Sequence, residues 1–343
     1  MISKVSIHNF KCLRDVRIDL ERFTVFVGPN ASGKTSILQG LDLLCRAFRE
    51  PQSFNDGLVS QAMSRGSVDA VELIVESGDQ CFRYSSARLS PGNGVPGAGA
   101  AREVAADFDS SEWIVSRTTG GNTSPLPLSV LLRLEASKLI LPSLASPDPT
   151  IMAPDGTGMH AALASMALND PDSWQALQAD LRRILPTIRR LRHTKAPPGQ
   201  IPAVLFDMLG ADDLPASQVS EGTLLVLGLL TALYGPDRPS LVLLDDLDRG
   251  LHPVAQKNLV TLLRGLLEAK PDLQIVATTH SPYLLDCMEP NEVRMTYLQD
   301  GSTVCAPLED HPKFGKWKDE MSSGEMWSLF GEKWLVEKVG AIA

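Results

Sequence analysis

Apolar positions along this chain fall into short unbroken runs separated by stretches of helical spacing, the pattern of a largely parallel sheet with helices on both faces. Phe23-Thr24-Val25-Phe26-Val27 predicts a buried strand, and Ile37, Leu38, Leu41 and Leu44 predict a helix over about residues 35 to 49. Ahead of them, Lys4-Val5-Ser6-Ile7 and Asp15-Val16-Arg17-Ile18-Asp19-Leu20 read as two short strands, and Val71-Glu72-Leu73-Ile74-Val75 as another. Residues 88–101 (RLSPGNGVPGAGAA) are a Gly/Pro/Ala-rich loop in which no chemistry is expected. From about residue 126 to 193, Leu and Ala recur every three or four residues between breaks at Pro142, Pro147, Pro149, Pro154 and Pro171, predicting an inserted, mainly helical lobe. The sheet pattern then resumes with Pro239 to Asp245, a helix carrying Leu259, Leu262, Leu263, Leu266 and Leu267, and a strand over Leu273 to Thr278.

Between the first buried strand and the first helix lies Gly28-Pro29-Asn30-Ala31-Ser32-Gly33-Lys34-Thr35, a complete GxxxxGK[ST] phosphate loop in strand, loop, helix order. Glycines let the backbone curl round a polyphosphate, so that successive N–H groups and the helix start point at the anion. Lys34 would reach the β and γ phosphates and the Thr35 hydroxyl would ligate Mg²⁺.

Leu241 to Leu244, running into Asp245-Asp246, has the form of a Walker B strand. At the carboxyl end of a parallel strand, Asp245 would hold Mg²⁺ through water and Asp246 would polarise an attacking water; the other reading of two such acids is a solvated helix cap. His280, in Thr278-Thr279-His280-Ser281-Pro282, ends the next strand and is either a γ-phosphate contact or a packing residue. Ser220-Glu221-Gly222-Thr223 opens an apolar helix. It is either a plain N-cap or a surface that receives a γ-phosphate held by another subunit.

Composition narrows the class. Hydrophobic residues make up 43% of the 343 and charged residues 21%, which describes a globular protein able to bury a large core. No apolar run approaches the roughly 20 residues that span a bilayer, and no signal peptide opens the chain, so a cytoplasmic location away from membranes is expected. Cys12, Cys45, Cys81, Cys287 and Cys305 form no CxxC pair, so neither a disulfide framework nor a zinc site is predicted. The net charge of −9 excludes a surface built throughout to grip nucleic acid. It leaves room for a local basic cluster, Arg182-Arg183, Arg189-Arg190, Arg192-His193 and Lys195, which is a solvated face, a contact for DNA phosphates or a contact for an acidic partner.

The motifs GPNASGKT, VSEGT, LVLLDDLDRGLHP and TTHSPYLL, in this order with a helical insert, resemble the ABC-type ATPase heads of the SMC, RecF and OLD group. They look most like the compact AAA-family ATPases of bacterial genome defence. The opening ISKVSIHNFKCLRDVRIDL and the segment MAPDGTGMHAAL are also similar to that family, and the resemblance covers about residues 1 to 290.

It implies an α/β ABC-ATPase head with a mixed, largely parallel central sheet, an N-terminal β subdomain and an inserted helical lobe. Residues 1–125 would form the N-terminal core with Walker A, 126–215 the lobe, 216–300 the rest of the core, and 301–343 a tail that packs or docks a partner. Carried over by position, Gly28 to Ser36, with Pro29, Asn30, Ala31, Ser32, Gly33, Lys34 and Thr35, bind ATP; Ser220, Gly222 and Thr223 form the signature. Thr35, Asp245 and Gln61, a candidate Q-loop residue, would be Mg²⁺ ligands. Asp246 is the catalytic carboxylate, Asp248 to Pro253 the D-loop region and His280 the switch histidine, with Lys34 assisting. The family usually has Glu where this chain has Asp246, one methylene shorter, which puts fast hydrolysis in doubt.

The family mechanism implies a homodimer that sandwiches two ATP molecules and relaxes on hydrolysis. With only about fifty residues beyond the switch histidine, no OLD-type Toprim nuclease fits, so a separately encoded effector such as a nuclease is the expected partner in anti-phage defence. A RecF-like DNA-binding ATPase of repair or chromosome maintenance, with DNA as partner, is the alternative. A transporter subunit is disfavoured by the SEGT signature, and a nucleotide sensor with little turnover stays open through Asp246.

Overall fold

The protein is described by a computed structural model that covers residues 1–49, 71–78, 80–88, 113–120, 126–197 and 199–335. In chain order the elements are β1 (Lys4–Phe10), β2 (Leu13–Asp19), β3 (Phe23–Val27), α1 (Lys34–Arg49), β4 (Val71–Ser77), β5 (Gln80–Arg88), β6 (Trp113–Gly120) and β7 (Ser129–Leu132). There follow α2 (Ala136–Leu139), α3 (Met159–Asn169), α4 (Pro171–Ile184), β8 (Ile188–His193), β9 (Val204–Met208), β10 (Ala211–Pro215), α5 (Glu221–Tyr234), β11 (Leu241–Leu244) and α6 (Pro253–Ala269). The last are β12 (Gln274–Thr279), α7 (Pro282–Leu285), β13 (Val293–Gln299), β14 (Ser302–Pro307), α8 (Phe314–Trp317) and α9 (Ser323–Phe330). The backbone divides into two compact units, Met1–Ser129 with Gln274–Ala343, and Val130–Leu273.

In the first unit an antiparallel sheet runs in the order β2-β1-β4-β5-β6. Alternation decides its register: Val5 and Ile7 of β1 face inward opposite Ile18 and Val16 of β2, while Lys4 and Asp19 meet in solvent. A second set of strands places β3 between β12 and β13, parallel to both, and β14 closes antiparallel on β13. Every residue of β3 and β12 is buried, which is why both read as unbroken apolar runs. The β13–β14 hairpin turns through Asp300 and Gly301, both at positive φ (50° and 74°), the conformation that makes Asp-Gly a favoured tight turn. Helix α1 packs on β1, β4 and β12 through Ile37, Leu38, Leu41 and Leu44, all fully buried. Each such leucine contributes about 1.5–3 kcal/mol relative to exposure.

The C-terminal segment packs on this same unit. Gly324 of α9 lies so close to α7 that a Cβ there would stand 2.1 Å from the Pro282 carbonyl oxygen. The Ser322 hydroxyl donates to Asp286 at 2.6 Å, and Ser323 to the Met288 carbonyl at 3.0 Å. The His311 ring stacks on Phe330 at 4.2 Å between centroids.

The second unit is built round α5, apolar on every side and buried along nearly its whole length. Gly228 in its middle admits Leu134 and Leu139, whose methyl carbons would stand 3.0 to 3.4 Å from a Cβ. Helices α4 and α6 start with Pro at N1 behind the caps Asp170 and His252, the sequence signal for a helix start. The stretch 126–193, read as mainly helical, also contains β7 and β8, and β8 continues with β9 and β10 into a three-stranded antiparallel sheet. Its reading as helix has a local cause. Buried Ile188 and Leu191 are three residues apart, a helical spacing, because the register of β8 on β9 shifts between Ile188 and Arg190. The fold is α/β, with a mixed sheet that is parallel at β12, β3 and β13 and an antiparallel sheet near the N-terminus.

Candidate functional site

Within the first unit, Gly28 to Lys34 curls tightly between β3 and α1. Gly28, Ala31 and Gly33 all have positive φ (153°, 62° and 100°). The two glycines are required twice over, since they also touch the β13–β14 hairpin. A Cβ on Gly28 would sit 2.1 Å from the Thr296 carbonyl oxygen, and one on Gly33 would sit 2.2 Å from the Thr303 hydroxyl. Ser32, buried, shares a 2.6 Å hydrogen bond with the Thr296 hydroxyl, which in turn donates to the Val27 carbonyl at 3.1 Å. Lys34 is 6% exposed, and its ammonium donates to the carbonyls of Gly28 and Pro29 at 2.9 and 2.8 Å. The loop is thus already closed round its own cation. Pro29, Asn30 and Ala31 stand at its exposed rim, Thr35 and Ser36 are half-buried at the first turn of α1, and that turn carries no acidic residue. Such a shape fits a polyphosphate: positive charge inside, N–H groups at the rim, and no side chain where the backbone must approach the ligand.

His280 belongs to the same unit. β12 runs parallel to β3 with Thr279 opposite Val27, so His280 and Gly28 are the next residues on adjacent strands. His280 is exposed there.

The second unit holds the signature and the Walker B acids. Ser220 caps α5, its hydroxyl accepting from the Thr223 amide at 3.2 Å and meeting the Thr223 hydroxyl at 2.8 Å. Buried Gly222 lies against Gly250, whose oxygen would be 2.2 Å from a Cβ at position 222. Asp245 follows the fully buried β11. Its amide donates to the Leu132 carbonyl at 3.3 Å, and its carboxylate pairs with Arg133 at 3.4 Å. Asp246 is exposed and has φ of 56°, a left-handed conformation that Asp and Asn tolerate better than Glu. That gives a backbone reason for the shorter acid at this position. Asp245, Asp246, Arg133, Glu135, Asp155 and Arg249 border a cavity of about 340 Å³ whose other wall is the apolar side of α5. Gln61 lies outside the described residues.

Four residues of this geometry were not singled out from sequence: Arg133, Arg249, Thr296 and Thr303. The two threonines had a local signal, the Asp300-Gly301 turn flanked by alternating residues. Arg133 and Arg249 had none beyond their charge.

The basic cluster is largely neutralised by its own fold. Asp207, buried on β9, binds Arg192 at 2.6 Å and Arg190 at 2.9 Å. Hydrogen bonding from Arg192 holds its carboxyl well below the usual range against the opposing effect of burial. Arg192 also meets Asp213 at 2.5 Å, Arg189 pairs with Asp212, and Arg183 with Asp180 at 2.7 Å. Acids from 20 residues downstream were not weighed with the arginines in the linear reading. His193 stacks near Trp174, with its pKa brought down to about 4 by burial and by the neighbouring His160. His160 is itself buried, accepting from the Val204 amide at 2.9 Å and bonding the Leu139 carbonyl at 2.9 Å. All five cysteines are free thiols, and burial pushes Cys45 up to about 12. Among the described residues no helix is long and apolar enough to cross a membrane, and no cluster of three or more His, Cys, Asp or Glu could hold a metal ion.

Comparison with known proteins agrees with the site. Residues 1–109 match the family model described as AAA ATPase domain, and residues 160–286 match the one described as AAA domain, putative AbiEii toxin, Type IV TA system. An OLD nuclease of Thermus scotoductus is 31% identical over 115 residues, 28% of this chain and 22% of that protein. Septu protein PtuA of Bacillus thuringiensis is 40% identical over 57 residues, 17% of this chain and 14% of that protein. The chain therefore matches less than a quarter of the length of these curated relatives. Among solved structures, an Smc head bound to the C-winged helix domain of ScpA superposes with a TM-score of 0.59 at 14% identity, over 90% of this chain and 98% of that one. A Pyrococcus furiosus Smc head with an extended coiled coil, bound to the C-terminal domain of ScpA, gives 0.57 at 14%, over 93% and 99%. With the phosphate loop formed and the head fold shared, the chain belongs to the ABC-type ATPases of the AAA, SMC and OLD kind.

Proposed function

We propose that this protein is a cytoplasmic ATP-hydrolysing switch whose two copies close on two nucleotides and act on a separately encoded effector, a nuclease in anti-phage defence. One observation carries the nucleotide part: the Gly28 to Lys34 loop holds its own lysine ammonium at 2.8 to 2.9 Å, with glycines at the points of closest approach. In this reading Gly28 to Ser36 bind the triphosphate, Thr35 and Asp245 are Mg²⁺ ligands, and His280 contacts the terminal phosphate. Asp246 orients the water, the role that suits an exposed carboxylate at a strand end. Bound Mg²⁺ would supply charge stabilisation on the phosphates. Ser220, exposed at the start of α5, would meet nucleotide held by the second copy. Gln61 keeps its place as a proposed metal contact from sequence position alone.

Support for the defence role comes from the relatives, an OLD nuclease and a Septu protein. The ScpA-bound Smc heads are precedents for a partner protein. DNA binding by the chain itself loses its main sequence support once Arg190 and Arg192 are seen sharing Asp207.

The test is molar mass by light scattering with ATP and Mg²⁺ for the wild type, Lys34→Ala and Ser220→Arg. An ATP-dependent dimer lost in both variants is expected. A mass indifferent to nucleotide in the wild type would remove the switch.

A further inference from the structure

The segment after Walker B and the start of α5 touch at a point that neither role assigned to them requires. Arg249 pairs with Glu221 at 2.6 Å, both side chains about half exposed. Next to that pair, Gly222 and Gly250 meet backbone to backbone: a Cβ on Gly222 would stand 2.2 Å from the Gly250 oxygen and 3.0 Å from a Leu251 methyl. Gly250 has φ of 68°, and a Cβ there would stand 3.0 Å from the Gly222 nitrogen. The turn that presents Arg249 and Gly250 is braced from behind. Arg249 N donates to the Asp246 carbonyl at 3.0 Å, Leu251 N to that of Asp248 at 3.1 Å, and the buried Gln256 amide to that of Leu251 at 2.9 Å.

Beyond this contact the two segments are not packed against each other. The cavity of about 340 Å³ lies between Asp245, Asp246 and Leu251 on one side and Leu225, Val226 and Leu229 of α5 on the other. Side chains that do not interdigitate transmit little strain. Any mechanical link across that gap therefore passes through Arg249–Glu221 and Gly250–Gly222. An exposed ion pair adds little to stability, so its geometry serves a different purpose from holding the unit folded.

We propose that Arg249 and Gly250 are positioning residues that latch the turn after Asp246 to the first turn of α5, so that displacement at the Walker B acids moves Ser220. The same pair neutralises Glu221, whose charge would otherwise repel an anion arriving at Ser220. The functional consequence rests on the dimeric switch proposed above; the latch itself does not.

The test uses the full chain in two measurements. The first is hydrogen exchange without nucleotide on the wild type, Arg249→Ala, Arg249→Lys and the swap Glu221→Arg with Arg249→Glu. Arg249→Ala should keep the melting temperature yet speed exchange about tenfold both in the turn 246–251 and in residues 221–226, within the range typical of coupled sites. The lysine and swap variants should restore most of the protection. Faster exchange in the turn alone, or a swap no better than Arg249→Ala, overturns the latch. The second is sedimentation with ATP and Mg²⁺, where Arg249→Ala should weaken the dimer by about the same factor while nucleotide affinity stays put. A variant dimer as tight as the wild type overturns the latch's role in closure. A wild type that binds nucleotide but stays monomeric, with the coupled exchange present, would leave the latch standing and overturn the switch.

Discussion

The start of α1 and the start of α5 both present backbone N–H groups at a helix end, and they are built in different ways. At α1 the approach is buried and pre-shaped: Ser32 is 1% exposed, Lys34 6%, two glycines press against Thr296 and Thr303, and the first turn carries no acid. At α5 the cap is exposed, Ser220 spends its hydroxyl on Thr223, and Glu221 brings a negative charge that Arg249 offsets. The first is an anion site complete in its own unit. The second has its donors occupied locally and becomes one only when its neighbours hold it in place, which is the behaviour expected of the half of a site that closes conditionally.

Several substitutions would break or sharpen that contrast. The largest effect is expected from Lys34→Ala, which should lower phosphate release by on the order of 10²–10³-fold, the loss seen when one preorganised electrostatic partner is removed. Ser220→Arg should instead leave nucleotide affinity of the single chain unchanged and abolish the dimer; equal loss of affinity in both variants would erase the distinction between the two helix starts. Asp246→Asn should reduce turnover by about 10²–10⁴-fold, as for a lost general base, while keeping nucleotide bound and the left-handed backbone intact. Unchanged turnover would take Asp246 out of the mechanism.

Gly28→Ala comes next, because its Cβ meets backbone rather than a flexible side chain. It should cost about 1–3 kcal/mol in a denaturant melt, as overpacking does. Gly78→Ala, with open space round its Cβ, should cost less, leaving only the strain of its positive φ.

The smallest effect is a pH dependence. His160 and His193 have folded pKa values below the ordinary 6.5, His193 at about 4, because burial disfavours their charged forms. Above pH 6.5 both states are neutral and stability is full. As pH falls from 6.5 towards 4 the unfolded chain takes up protons that the folded one does not, so stability drops over that window. Thermal melts of the full chain at pH 7.5 and 5, repeated with His193→Gln, should show a smaller drop in the variant.

Much of this was legible in the linear chain, and the exceptions have a common cause. The strand, loop and helix of the phosphate motif, the caps Asp170, Ser220 and His252 and the acids at the end of β11 are local patterns, set by residues within a few positions of one another. The lobe sheet was missed because a register shift in β8 mimics helical spacing at Ile188 and Leu191. The basic cluster looked available because Asp207, Asp212 and Asp213 lie on other strands.

By itself the sequence determined which atoms could hold a phosphate, since consecutive amides, a lysine and a hydroxyl act over a single turn of chain. Only the tertiary structure decided how firmly they are held. Ser32 is braced by Thr296, 264 residues away, and Gly222 by Gly250. Contacts of that kind follow from which strands pair and which helices pack, and no periodicity in the chain records where two distant backbones come close enough to exclude a Cβ.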